Sequence, residues 1–145
     1  NANKMPMREH EIISVFYRSL PTYNPQGLRP AVNVKKNRAT AQSENYGLIK
    51  GGEYYQKFTN YPISIIGGFG VPNNYHPTEK PVPLIEYLIK TYSNEGETVL
   101  DMTMGAGGAA IAARNLNRNF IGIELEEKYY NIAVQRLDGE IKKRN

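Results

Sequence analysis

Residues 98–115 read TVLDMTMGAGGAAIAARN. Thr98, Val99 and Leu100 favour a strand, and Asp101 closes it. Gly105, Gly107 and Gly108 follow at the spacing of a tight loop, and Ala109 to Asn115 is rich in the best helix former. The stretch therefore predicts strand, glycine loop, helix. Two readings of that loop stand side by side. It can be a nucleotide-type site, where glycine lets the backbone approach a ligand that any side chain would block. It can equally be a strand-to-helix turn with nothing bound.

Working outward, NFIGIEL (119–125) predicts a second strand, and EEKYYNIAVQRLDGEIKK (126–143) a last helix with Tyr130, Ala133, Val134 and Leu137 inward. Upstream, HPTEKP (76–81) has prolines that stiffen the approach to a helix. Val82, Ile85, Leu88 and Ile89 share one face of that helix, Pro83 suits its first turn, and Asn94 and Gly96 mark its stop. Helix, strand, helix, strand, helix predicts an α/β fold with a parallel sheet and right-handed crossovers. Ligands of such sheets sit beyond the carboxyl ends of the strands. Asp101 and Glu124 end the two strands there, and Glu124 is placed to accept hydrogen bonds from ribose hydroxyls.

Before residue 76 the character differs. HEIISVFY (10–17) has apolar residues on both faces and predicts a buried strand ended by Pro21 and Pro25. From 21 to 60 the chain is rich in Pro, Asn, Gly and Ser and predicts loops and short strands. Ile63 to Ile66 predicts another strand, stopped by Gly67 and Gly68.

The chain has 145 residues, no cysteine, two histidines and a net charge of +4. Without cysteine there is no disulfide, thiolate metal site or thiol nucleophile, and the two histidines are too few for a histidine-built metal centre. No apolar run reaches the roughly 18–20 residues of a membrane span, and the lack of cysteine leads to the expectation of a cytoplasmic protein. The basic excess lies in residues 21–75, where Arg29, Lys35, Lys36, Arg38, Lys50 and Lys57 face two acids, Glu44 and Glu53. Six of the eleven tyrosines lie there too. Cations interleaved with aromatics suit a nucleic-acid surface, through phosphate neutralisation and base stacking. A solvated loop region is the plainer reading.

The loop spacing, GAGGAA (105–110), approximates a dinucleotide fingerprint with Ala110 in the third glycine position, so a nicotinamide cofactor is not excluded. Asp101, just before the loop, favours a ligand with an ammonium group over a pyrophosphate; S-adenosylmethionine has that group, an adenosine and no phosphate. As a plain helix or turn cap, Asp101 would need no ligand.

The ordered elements HPTEKP, TVLDMTMGAGGAA and NFIGIEL resemble the carboxyl-terminal part of amino-group DNA methyltransferases, the adenine-N6 and cytosine-N4 enzymes of phages and restriction-modification systems. REHEIISVFYR, PTYNPQ and YPISII extend the resemblance upstream. It implies a partial Rossmann-like S-adenosylmethionine-dependent methyltransferase fold. Residues 1–20 would be a strand segment of the core, 21–75 the target-recognition region, and 76–145 the cofactor-binding half. The cofactor would be S-adenosylmethionine and the partner double-stranded DNA. Asp101, Met102, Thr103, Gly105 and Gly107 would line the cofactor's methionine end. Glu124 would take the ribose, and His76, Thr78 and Lys80 would sit near the amino-acid tail, Lys80 pairing with its carboxylate. Read without the resemblance, His76 is a turn residue and Lys80 a solvated charge.

The sequence departs from the family pattern at several points. Glu79 stands where the family usually has Gln, adding a negative charge beside the expected cofactor tail. Met102 and Thr103 replace Pro and Phe, and GAGGA replaces GSGTT, removing hydroxyl groups from the loop. No Pro-Pro pair occurs, so the family's Asp/Asn/Ser-Pro-Pro-aromatic element, which holds the target amino group, is not in this chain and no catalytic residue is assigned. The expectation is a carboxyl-terminal portion of an adenine-N6 enzyme, inactive alone, with an upstream segment or a second chain supplying that element. Cytosine-C5 methylation needs a cysteine and is excluded within this chain. The alternatives are a non-catalytic DNA-binding remnant or interaction module, and a nicotinamide-binding oxidoreductase domain.

Overall fold

The computed structural model describes residues 11–32, 41–43, 47–49 and 56–139. Its elements are β1 (Arg29–Pro30), β2 (Ala41–Ser43), β3 (Gly47–Ile49), β4 (Phe58–Thr59), α1 (Val82–Tyr92), β5 (Thr98–Asp101), α2 (Gly108–Asn115), β6 (Asn119–Gly122) and α3 (Glu127–Asp138). β5 and β6 pair in parallel, from Thr98 opposite Asn119 to Asp101 opposite Gly122, with α2 as the crossover. β1 pairs antiparallel with β4, and β2 with β3.

The alternation of strand side chains decides the layering. Val99 and Phe120 point to one face and pack against Ile89 of α1 and Ala112 and Ala113 of α2, with Val82, Ile85 and Leu116 around them. Alanine dominates this core: Ala110, Ala112, Ala113 and Ala133 are almost fully buried. Short side chains let α1 and α3 approach α2 closely. The opposite sheet face is bare, with Leu100, Ile121 and Ile123 each more than half exposed. Parallel sheets are ordinarily covered on both faces, so this face is the side on which a second layer would lie.

Both ends of α1 are tied. Pro83 occupies its first turn, where the missing N–H costs nothing. At its other end Asn24 binds the orphan carbonyls: its backbone N–H donates to Thr91 O at 2.7 Å and its side chain to Lys90 O and Ser93 O at 3.3 and 3.1 Å. The Arg118 guanidinium adds a 2.8 Å bond to Ser93 O. α3 ends at Gly139, left-handed at φ 82°.

The helix–strand–helix–strand–helix order of residues 82–138 agrees with the sequence reading, but β6 ends at Gly122 rather than Leu125 and α3 at Asp138 rather than at residue 143, with residues 140–143 lying outside the described residues. The upstream strands do not agree. Residues 11–17 and 63–66 form no strand, and Ile12, Phe16, Ile63 and Ile65 are largely exposed. A strand is made by its ladder, and no described segment pairs with either stretch. The inward face of α3 also shifts. Tyr130 and Val134 point outward, and the buried residues are Ala133 and Arg136. Hydropathy assigns an arginine to solvent; this one is drawn in by partners described below. Among the described residues no helix is long and apolar enough to cross a membrane, and no group of three His, Cys, Asp or Glu could hold a metal ion.

Candidate functional site

The site forms where β5 and β6 end side by side. Pairing continues past the strands: Ile123 N donates to Asp101 O at 2.9 Å, and Met104 N to Ile123 O at 3.0 Å. Gly122 leaves room beside this pairing for two side chains. A Cβ there would collide with Met104 Sδ and with the Phe120 ring. Asp101 Oδ1 accepts the Thr103 amide at 3.0 Å, closing a local turn. Glu124 reaches back across the loop, accepting Gly105 N at 2.8 Å on Oε2 and Glu126 N at 2.9 Å on Oε1. The Glu126 amide above all, with the Gly105 and Leu125 amides and the nearby His76 adding to it, holds the Glu124 carboxyl below its usual value against the opposing desolvation. Two carboxylates thus flank one loop, each with lone pairs beyond those used in these bonds.

The three loop glycines are packed by the protein itself. A Cβ on Gly105 would lie 3.3 Å from the His76 ring, one on Gly107 would lie 2.7 Å from Ala133 Cβ, and one on Gly108 would lie 3.2 Å from Ile85 Cδ1. Gly105 and Gly107 also have φ of 52° and 77°, a region disfavoured for side-chain-bearing residues. The closeness that glycine permits is therefore used by α1, α3 and the 76–80 turn, and residues 105–108 are buried. Met102 is 68% exposed and Thr103 is exposed, so the loop meets solvent at its first residues.

The HPTEKP turn lies across this loop. His76 sits edge-on to Tyr129 of α3, ring centroids 4.2 Å apart, and its Nδ1 is 3.2 Å from Thr78 N and 3.1 Å from Thr78 Oγ1. Lys80 has a partner within the protein. Its Nζ pairs with Glu11, 3.0 and 2.8 Å from the two carboxylate oxygens, in an exposed contact. Glu79 is turned inward. Its side chain is 4% exposed and lies 3.0 Å from Arg136 Nη2, whose side chain is 5% exposed. Arg136, Tyr75 and Tyr129 have no signal in the local sequence pattern, and Glu79 stands out there only as a charge in place of Gln; the fold alone joins them.

Of the candidate DNA-binding residues, Arg29 and Lys57 lie on the β1–β4 ribbon. Ala31 N donates to Lys57 O at 3.0 Å, which places Lys57 across from Ala31 and on the same face as Arg29. Both are exposed. Lys35, Lys36, Arg38 and Lys50 lie outside the described residues. Among the described residues the surface has grooves of about 750 and 470 Å³. The larger runs between residues 11–15, 62–66 and α1, the smaller beneath residues 69–75; neither is lined by Asp101, Gly105 or Glu124.

The family profile for DNA methylases of the N6/N4 methyltransferase type matches residues 1–135. The chain belongs to this DNA methylase family. Its relatives include the type II methyltransferase M2.DpnII of Streptococcus pneumoniae, 43% identical over 65 residues, which are 45% of this chain and 24% of that protein. M.HpaI of Haemophilus parainfluenzae is 45% identical over 65 residues, 45% of this chain and 21% of that protein. The crystal structure of the M1.HpyAVI–SAM complex shares 40% identity over 51% of this chain and 37% of that one, with a TM-score of 0.47. The chain thus spans about a quarter or less of the length of these curated relatives. The methylase family assignment replaces the nicotinamide reading of the glycine loop. The partial Rossmann-like fold is present in β5, α2 and β6 with helices on one face.

Proposed function

We propose that this chain carries the cofactor-binding half and the target-recognition region of an S-adenosylmethionine-dependent DNA amino-methyltransferase, with adenine-N6 as the favoured position. The supporting observation is the pairing of Asp101 and Glu124 at adjacent parallel strand ends around the Gly105 loop. S-adenosylmethionine supplies an electrophilic methyl group carried on a sulfonium. The donor set suits such a ligand. Asp101 offers a carboxylate to its ammonium group, and Glu124, kept ionised by backbone donors, offers acceptors to ribose hydroxyls. His76 and Thr78 close the far side of the loop, while Lys80 reaches a ligand carboxylate only by leaving Glu11. Residues 21–75, with Arg29 and Lys57 on the β1–β4 ribbon, form the DNA-facing region.

The residue that would hold the target amino group comes, in this reading, from polypeptide outside this sequence, either joined to it or as a second chain. That polypeptide would also cover Leu100, Ile121 and Ile123. Calorimetric titration with S-adenosylmethionine tests the cofactor site, and absence of heat at millimolar cofactor would favour a non-catalytic remnant. Incubation with labelled cofactor and duplex DNA tests the rest: no transfer is expected from this chain alone, and turnover would refute the division of labour proposed here.

A further inference from the structure

The network beneath the HPTEKP turn does more than fill space. Arg136 projects from α3 into the interior and makes three kinds of contact at once. Its Nη2 pairs with Glu79 at 3.0 Å, its Nη1 donates to the carbonyl of Ala106 within the glycine loop, and its guanidinium lies 4.5 Å from the Tyr75 ring centroid. Glu79 is held from its other oxygen by the Tyr75 amide, which donates to Oε2 at 2.9 Å. One planar cation therefore joins α3, the 75–79 turn and the loop. A buried charge pair is costly to assemble and contributes little net stability against an apolar isostere, so its value here lies in geometry. Arginine's rigid fork can address a carboxylate and a carbonyl together, and lysine cannot reproduce that.

We infer that Glu79 and Arg136 are positioning residues for the cofactor loop. The pair sets the height of the Ala106 carbonyl, and with it the placement of Gly105 beneath His76 and its amide toward Glu124. The negative charge that Glu79 brings to its position is thereby matched within the protein. This inference rests on the S-adenosylmethionine reading above for its functional consequence, and on the loop geometry alone for its structural one.

The test uses the whole chain with Arg136→Met, Arg136→Lys, Glu79→Gln and the double variant Glu79→Gln/Arg136→Met. Cofactor affinity is read by calorimetry, thermal stability by circular dichroism, and the exchange rates of the Gly105 and Gly107 amides by NMR. Arg136→Met is expected to speed exchange at both glycines and to weaken cofactor binding on the order of tenfold. The double variant removes the stranded carboxylate, so its thermal midpoint should recover while affinity stays low, because the Ala106 contact is still missing. Arg136→Lys should keep stability better than affinity. Affinity that recovers along with stability in the double variant would overturn the inference, as would Arg136→Met binding cofactor like the parent while folded. If the parent chain binds no S-adenosylmethionine, the cofactor reading fails by itself. The positioning claim is then decided by glycine exchange, and unchanged Gly105 and Gly107 rates in Arg136→Met would refute it.

Discussion

The Gly105 amide donates to Glu124 Oε2 at 2.8 Å, so the carboxylate expected to receive a ligand is also the group that anchors the loop. The same backbone donors hold its carboxyl below the ordinary value of 4.5. A carboxyl depressed in the folded state stabilises that state above its unfolded value and loses the contribution as pH falls through the folded value. Thermal midpoints measured between about pH 3 and 6 should therefore fall on acidification. Glu124→Gln should show a shallower fall over the same range, and parallel curves for the two proteins would contradict this. At neutral pH the same substitution should weaken S-adenosylmethionine binding on the order of tenfold by calorimetry, since the charged acceptor is lost.

Gly107 and Gly139 allow backbone and packing effects to be separated. Both are left-handed, at φ 77° and 82°, but among the described residues a Cβ on Gly139 meets nothing within 4 Å whereas one on Gly107 meets Ala133. Gly139→Ala should cost only the backbone penalty, roughly 1–2 kcal/mol. Gly107→Ala should cost that and a displacement of α3, giving the larger loss of thermal stability in denaturation measurements. Equal losses would show that α3 yields freely at this contact.

Arg29 and Lys57 share a ribbon face, and the DNA reading makes them phosphate contacts. Each contact removed should lower the slope of log affinity against log salt by about 0.9. Arg29→Gln/Lys57→Gln should therefore flatten the slope by about 1.8 in anisotropy titrations with duplex DNA. An unchanged slope would move the interface away from this ribbon.

Leu100 and Ile121 lie on the bare face of the sheet. Replacing both with threonine should change the stability of this chain by no more than about 1 kcal/mol, about 0.5 for each ordinary surface site. Binding of an apolar fluorescent dye and concentration-dependent association in sedimentation should both decrease. A large loss of stability would mean that this face is already packed.

The part of the fold visible in the sequence is the part held by local periodicity. Val82, Ile85 and Ile89 mark α1, TVLD and NFIG mark a parallel pair, and the alanine run marks α2. Strands at 10–17 and 63–66 rest, in the sequence, on local apolar and β-branched patterning, which cannot supply a pairing partner. Within the site, Asp101 and Glu124 are legible because strand ends in a parallel sheet converge. Arg136 is not, because its burial depends on Glu79, Tyr75 and Ala106, all distant in sequence. The glycine spacing showed that a close approach occurs, without showing that His76, Ala133 and Ile85 are what approaches.

α1 is held at both extremities. Asn24, from the segment leading to the β1–β4 ribbon, grips the carbonyls of Lys90, Thr91 and Ser93, while Ile85 presses on Gly108 near the start of α2. Its 11 residues make a rod of about 16 Å. One inserted residue would advance the far turn by about 1.5 Å and rotate it by about 100°, carrying those carbonyls off Asn24 while Ile85 stayed in place. The helix is thus a ruler, and the distance it measures is the one between the chain's basic ribbon and its glycine loop.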